Sequence, residues 1–506
     1  MSELRGIVLV ILGVIALGFY YSWWFMEGRL TSPWLILGFM TAIFYGVFQI
    51  LANWLVYLWT HHRPATSSHS PIDLTVDVFV TACGEEHSLI RRSLTAACAM
   101  QGSHRTWLLD DGQDPALARL AEQLGAGYLT RQDCKDAKAG NITAALARTN
   151  GDIVVIFDID HIPEPDFLQQ TLGCFADPTV GFVQVMPTFS NNRQGWVARA
   201  ATETSFDFYN PTSKGMDGFQ SVTKMGTNSL IRRAALNSIG GYQPGLAEDL
   251  ATSIALHAAG WHSRYVARPL APGLSPLVLA SWFTQQFKWA RGVFEVLLTD
   301  YPRLFGCLTW GQRLSYAVRT TNYLLGPVIF IHLALVIAVL FGGSNVVRVD
   351  LQQYFLYLTP LVVVEVLIRQ LALRRWRHPS IPIGPLWRAV ALIYATWPIY
   401  TLAFIMAVLR LPLSFRPTPK SSTGGLNPLW VLPQLATVLL LVSGVIYSLY
   451  TTNDSSDFFL YFFAACLAIP QTGLMRPLLR SGLRFIRGEK VLKSGEISPN
   501  SVTGKR

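Results

Sequence analysis

The sequence predicts a membrane α-helical bundle of about six transmembrane helices, with an α/β domain inserted between the second and the third. Three observations predict it. Long uncharged runs lie toward both ends of the chain. One stretch between them holds nearly all of the Asp and Glu. Within that stretch, extended and helical patterns alternate, as expected of a mostly parallel sheet with ligands at the carboxyl ends of its strands.

The uncharged runs are 6–25, 33–60, 320–347, 426–453 and 458–475, and a sixth, 351–368, carries the single charge Glu365. Each is expected to cross the ~30 Å of hydrocarbon in a bilayer. The first follows a short head bearing Arg5 and lacks a small-residue cleavage site, so it reads as an uncleaved span. A further uncharged stretch, 389–409, is long enough to span but has basic residues on both sides: Arg369, Arg374, Arg375 and Arg377 before it, Arg410, Arg416 and Lys420 after it. Basic flanks favour the cytoplasm, and Pro398 interrupts the run. An interface helix over 386–410 is therefore expected in place of a span. Six spans then leave both termini cytosolic in a plasma membrane, the bacterial inner membrane. The basic tail (Arg476, Arg480, Arg484, Arg487) and the poorly basic loops 27–32 and 451–457 agree. The expected division is 1–60 as two spans, 61–318 as a cytosolic domain, 319–480 as four spans with the interface helix, and 481–506 as a basic tail.

Composition agrees with a large embedded fraction: 51% of residues are hydrophobic and only 14% charged. The net charge of +10 is explained by cytoplasmic flanks and is compatible with an anionic substrate. The basic residues sit beside apolar runs instead of forming one stripe, which argues against nucleic acid. The six cysteines show neither CxxC pairing nor zinc-ligand spacing, so free thiols are expected.

Inside the soluble stretch, Val76–Thr81, Thr106–Leu109 and Ile153–Phe157 read as strands, and 87–100, 114–124 and 138–149 as helices. Acidic motifs sit at the ends of these elements. Asp110-Asp111-Gly112 follows a strand, where a carboxylate can accept from the N–H and hydroxyl groups of a uridine. It is equally a strand-to-turn Asp-Gly. Asp158-Ile159-Asp160 closes the strand Ile153–Phe157. In extended chain residues i and i+2 point to one side, so both carboxylates can address one hard cation, Mg2+ or Mn2+. Aspartates that merely end a strand are also common.

Glu248-Asp249 opens a helical pattern over 250–260, where a carboxylate serves as an N-cap or as a base removing a proton from a hydroxyl. Gln285-Gln286-Phe287-Lys288-Trp289 lies on a helix running toward the membrane. Trp289 offers an apolar face for a sugar ring and Lys288 a partner for phosphate, though an interfacial aromatic-basic helix reads the same way. Lys138-Ala-Gly-Asn141 opens a helix where an anion is favoured. Phe415-Arg-Pro-Thr418-Pro-Lys420 lies in a basic juxtamembrane loop.

Taken in order, the paired Asp, Asp-x-Asp, Glu-Asp and Gln-Gln-x-basic-Trp motifs resemble those of processive family 2 glycosyltransferases. Lys138-Ala-Gly-Asn141 and the Phe-x-x-Thr-x-Lys loop narrow the resemblance to the cellulose synthase branch, over roughly residues 75–480. It implies a GT-A domain, a UDP-sugar donor, a divalent cation and a growing polysaccharide acceptor. It also implies an accessory periplasmic subunit as a partner. By motif, Asp110 and Asp111 would hold the uridine, and Asp158 and Asp160 the cation and diphosphate. Asp249, with Glu248 beside it, would be the general base, and Trp289 would stack under the growing end. Lys138, Gln285, Gln286 and Lys288 would surround the diphosphate. Thr418 and Lys420 would belong to a gating loop, 411–425. Met225-Gly226-Thr227-Asn228 resembles the segment lining the acceptor, which brings in Gly226 and Thr227.

Three positions depart from the family pattern. Ala247 replaces the usual Thr, Lys288 replaces an Arg and so lacks its planar fork, and Pro417 replaces a Val. Only about 30 residues follow the last run, too few for a PilZ domain of the cellulose synthase kind.

The reaction implied is a single displacement that inverts an α-linked donor to a β-linked product, with glucose as the expected sugar because the gating-loop motif accompanies glucan synthases. Two other functions are weighed against it. A non-processive transferase acting on a lipid usually lacks Gln-Gln-x-basic-Trp. A transporter or scaffold would leave the acidic domain without a role.

Overall fold

The computed structural model describes residues 2–26, 33–58, 74–342, 349–376, 386–413, 428–451, 458–474 and 477. The expected gating residues Thr418 and Lys420, the loops 27–32 and 452–457, and most of the basic tail lie outside the described residues.

Among the described residues five helices are long and apolar enough to cross a membrane: Leu4–Trp24, Ile36–Tyr57, Trp310–Gly342, Leu351–Leu373 and Leu432–Thr451. The run expected at 458–475 forms a shorter apolar helix, Phe458–Thr472. The stretch 389–409 is a broken pair, Trp387–Ala395 and Trp397–Val408, bent by 43°. The break is held in place as well as caused by Pro398. At its corner, Thr396 Oγ1 donates to the Leu392 carbonyl at 2.6 Å and accepts from Trp282 Nε1 at 3.0 Å.

The inserted domain is built on a seven-stranded sheet. Its strands in chain order are β1 Val76–Ala82, β2 Arg105–Asp110, β3 Gly127–Thr130, β4 Ile153–Asp158, β5 Val180–Val185, β7 Ser229–Arg232 and β8 His262–Val266. The spatial order is β3-β2-β1-β4-β7-β5-β8. All pairings are parallel except those of β7, which runs antiparallel to both β4 and β5. A separate two-stranded ladder joins β6, Thr188–Phe189, to β9, Pro272–Gly273.

The central strands are apolar on both faces, as strands covered on both sides must be. Val78, Val80, Val155 and Phe157 enter one core with Phe167. Phe79, Val154 and Ile156, which alternate with them, enter another with Ile142 and Leu256. Three predicted strands and three predicted helices are present with shifted ends. β3, β5, β7 and β8 were not anticipated.

A third core ties the domain to the apolar helices. Leu250 and Ile254, from the helix Glu248–Ala258, pack with Val293 and Phe294 of the helix Leu279–Leu298 and with Tyr400 and Ala403 of Trp397–Val408. Gln286 Oε1 accepts from the Tyr400 hydroxyl at 2.9 Å inside this contact.

Candidate active site

The register of the sheet sets the first two motifs beside one another. Ala82 of β1 pairs with Asp110 of β2, and Thr81 of β1 pairs with Asp158 of β4. The two aspartates therefore end strands on either side of β1, about 10 Å apart by the usual strand spacing.

Asp110 is fully buried. It accepts from Gly112 N and Asp114 N, each at 2.8 Å, and from the Tyr128 hydroxyl at 2.9 Å. These are the bonds of the strand-to-turn reading, and they shape the loop in which Asp111 stands. Asp111 takes a bidentate pair from Arg131, at 2.7 and 2.8 Å. Arg131 also donates to the carbonyls of Lys135 and Ala137, both at 2.6 Å. The guanidinium thus ties the Asp-Asp-Gly turn to the start of the helix Ala137–Leu146 that carries Lys138.

Asp158 and Asp160 do meet, but not by sharing a side of an extended strand. β4 ends at Asp158, and the chain turns immediately, with His161 N donating to the Asp158 carbonyl at 3.0 Å. The turn adds a third ligand type: atoms of Asp158, Asp160 and His161 all lie within 4.8 Å of one another. Among the described residues neither ring nitrogen of buried His161 has a hydrogen-bond partner, and Nδ1 stands 3.6 Å from Asp160 Oδ1. Two carboxylates and one imidazole fit Mn2+ or Mg2+, with the imidazole favouring the former. Sequence reasoning missed His161; the signal was an imidazole directly after Asp-x-Asp.

Lys138 ties the rest together. Its Nζ contacts Asp158 Oδ1 and donates to the Gly226 carbonyl at 2.6 Å. Burial opposes its charge, but Asp158, Glu248 and Asp249 outweigh that and raise its pKa. The acceptor-type segment is fixed from several sides. Thr227 Oγ1 accepts from Asp158 N at 3.0 Å, and Gln184 Oε1 accepts from Met225 N at 2.9 Å. Gly226 adopts φ +79, and a Cβ there would stand 3.6 Å from Asp249 Oδ2.

Glu248 and Asp249 occupy the first turn of the helix Glu248–Ala258, where the helix dipole favours negative charge. Ala247 supplies no side-chain cap; Asp249 Oδ1 instead accepts from Leu250 N at 2.8 Å. Burial first, then the Asp249 charge, raises Glu248 to about 7 against the pull of Lys138 and Lys288. The Gln-Gln-x-Lys-Trp helix reaches this pair by close approach: a Cβ on Gly292 would stand 2.7 Å from Ala247 N. Trp289 lies one turn earlier on the same helix, half-buried against the shared core. Gln285 and Lys288 are half-buried and Gln286 is buried. Leu411, where the described chain enters the expected gating loop, accepts from Arg291 at 3.1 Å.

A cavity of about 200 Å3 lies beside the β6–β9 ladder, lined among others by Phe189, Phe206, Tyr209, Asn210 and Pro272. Asn210 is buried, and among the described residues neither its amide nitrogen nor its oxygen has a hydrogen-bond partner. None of the six cysteines is in a disulfide.

The family model described as "Glycosyltransferase like family 2" matches residues 74–292, and the one described as "Cellulose synthase" matches 237–412. Cellulose synthase 2 of Novacetimonas hansenii is 31% identical over 353 residues, which is 67% of this chain and 22% of that protein. A UDP-forming cellulose synthase catalytic subunit of Pseudomonas fluorescens is 30% identical over 390 residues, 73% of this chain and 53% of that protein. The chain thus spans between about a fifth and about half of these relatives. Among solved structures, a mannosyltransferase from Pyrobaculum calidifontis in complex with GDP-mannose and Mn2+ superposes with a TM-score of 0.51 at 15% identity. The match covers 74% of this chain and 99% of that one. At that identity the likeness speaks for the GT-A fold alone. The two family models overlap across the segment that joins Glu248-Asp249 to the Gln-Gln-x-Lys-Trp helix, and over residues 74–412 the chain is similar to the family 2 glycosyltransferases of the cellulose synthase type.

Proposed function

We propose that this protein is a processive, inverting glycosyltransferase. It would polymerise a UDP-sugar, UDP-glucose, into a β-linked polysaccharide and pass the polymer across the bacterial inner membrane. The observation that supports it most is the close approach of Gly292 to Ala247. It joins the helix of Trp289 to the Glu248-Asp249 pair, while the next face of that helix bonds to an apolar helix through Gln286 and Tyr400. Base, sugar platform and membrane element thereby become one packed unit.

In this reading Asp249 accepts the proton of an acceptor hydroxyl as that oxygen bonds to the anomeric carbon. The bond from that carbon to the diphosphate oxygen breaks in line, and the electron pair leaves with UDP. Asp158, Asp160 and His161 would hold Mg2+ or Mn2+, which neutralises charge on the departing diphosphate when bound. Lys138 and Lys288 face the same charge with Gln285 beside them, whereas Gln286, expected there from the motif, is buried against Tyr400. Asp110 shapes the uridine end through its turn, and Asp111 holds Arg131 there. Gly226 and Thr227 position the acceptor, and Trp289 carries its terminal ring. The cavity with the unpartnered Asn210 offers room for further rings. Thr418 and Lys420 would close over the donor. Both termini would be cytosolic, with an accessory periplasmic subunit receiving the product.

Purified protein in lipid would be offered radiolabelled UDP-glucose, UDP-N-acetylglucosamine and UDP-galactose with Mg2+ or Mn2+, and any polymer digested with linkage-specific glucanases. Polymer from UDP-glucose with released UDP is expected. Transfer of single sugars to lipid would defeat processivity, and no UDP release from any donor would defeat the enzyme reading.

A further inference from the structure

The site contains a buried cation that no motif assigns. Lys224 is fully buried, with a relative exposure of 0%. Its Nζ donates to Ser229 Oγ at 2.6 Å and lies 5.5 Å from the centre of the Tyr242 ring. Among the described residues no carboxylate comes within 4.0 Å of it. An ammonium has three protons to donate, and burying it with one neutral acceptor is costly unless nearby negative charge offsets the loss of water.

That charge stands close by. Two residues on, Gly226 abuts Asp249, and between them Met225 is pinned by Gln184. Ser229 opens β7, opposite Ile156 of β4, so the ammonium is anchored to the sheet that carries Asp158. Burial disfavours its charge most, the charges of Asp249, Glu248 and Asp158 favour it, and that of Lys138 opposes it. Lys288 acts on Glu248 from the Leu279–Leu298 helix.

We propose that Lys224 is a positioning residue for the base, an internal ammonium whose charge keeps the Glu248–Asp249 pair able to accept the acceptor's proton. Burial draws Lys224 down to about 7, against the pull of Asp249 and Glu248. Fully buried, the residue offers no surface to a substrate. Its work is electrostatic, through Asp249, and the inference rests on Asp249 being the base.

The test is the pH profile of polymer synthesis by the full chain for Lys224→Met and Ser229→Ala. Methionine fits the buried volume without the charge. Ser229→Ala keeps the lysine but removes the acceptor of its proton. Both variants should move the acidic limb upward, Lys224→Met by about one pH unit, ~10-fold less rate well below the limb, and Ser229→Ala by less. The KM for UDP-glucose at the plateau should not change. If Lys224→Met fails to fold, shown by loss of UDP binding, the Ser229→Ala limb decides alone. Acidic limbs superimposing on the parent's would overturn the inference, as would a change confined to the donor KM. Asp249→Asn separates the two ideas: residual synthesis there removes the base assignment itself, whereas an inactive Asp249→Asn with unshifted Lys224→Met and Ser229→Ala profiles removes only the role of Lys224.

Discussion

Lys138 Nζ reaches the Gly226 carbonyl at 2.6 Å across 88 positions of sequence. One ammonium therefore spans the cation-type turn and the acceptor-type turn, because the same nitrogen also contacts Asp158. Replacing Lys138 with Met leaves the Gly226 carbonyl without that donor and Asp158 without its countercharge. Loss of a preorganised group facing developing charge costs about 100-fold in kcat. Steady-state kinetics with UDP-glucose should show that loss, and an unaltered kcat would exclude Lys138 from the site.

Glu248 makes stability depend on pH in an unusual direction. Its folded value is raised, by burial first and then by Asp249, to about 7 from an ordinary 4.5. Between these values the folded protein holds a proton that the unfolded chain has released, so stability falls as pH rises through that window. Thermal melts at pH 5 and pH 8 should differ more for the parent than for Glu248→Gln, which has no proton to lose. An equal pH dependence in both proteins contradicts the assignment.

Arg131 and Asp111 form a largely buried pair, with side chains 8% and 6% exposed. Removing one partner of such a pair strands the other, at about 3 kcal/mol. Arg131→Leu should therefore melt lower and bind UDP more weakly, since the Asp111 turn loses its tie to the Lys138 helix. Isothermal titration with UDP reads the second effect, and full-strength binding would detach this turn from the nucleotide.

Chelation should stop synthesis, with Mn2+ or Mg2+ restoring it. His161→Ala should raise the concentration of Mn2+ needed for half-maximal rate while Asp160→Asn raises it for both metals, because imidazole suits Mn2+ better than Mg2+. Metal titrations of the rate provide the comparison. Synthesis that persists in excess chelator would rule out the cation.

Gly292→Ala places two effects in opposition. In a helix interior the change is worth about 1 kcal/mol of added helix propensity. The new Cβ, however, would stand 2.7 Å from Ala247 N, so the helix carrying Trp289 must move off the Glu248-Asp249 segment. Polymer synthesis should fall by at least ~10-fold while UDP binding persists, a loss that a 1 Å displacement can produce. Unchanged synthesis would mean that this close approach is not needed.

Much of the fold was legible because it is local. β1, β2 and β4 are short apolar runs ended by acidic turns, and the helices between them carry amphipathic spacing. β7 was not legible. Ser-Leu-Ile-Arg is four residues long and becomes a strand only by inserting antiparallel between β4 and β5. β3, Gly-Tyr-Leu-Thr, is half-buried along its length and is held by pairing with β2. The Asp-x-Asp geometry was misjudged for the same reason: whether a strand continues or turns after Asp158 depends on its neighbours, and here the chain turns at once and adds His161.

Residue type and spacing determined which groups could do chemistry: the carboxylates at strand ends, the helix-opening Lys138, and the aromatic-basic helix beside apolar runs. Only the tertiary structure decided which of them work together. Asp110 turned inward while Asp111 took Arg131, and Lys224, unmarked by any motif, entered the core with Ser229 as its hydrogen-bond partner. The physical reason is range. Turn preference and apolar periodicity act over a few neighbouring residues, whereas a lysine's charge state and a carboxylate's proton affinity are set by whatever packing brings within several ångströms.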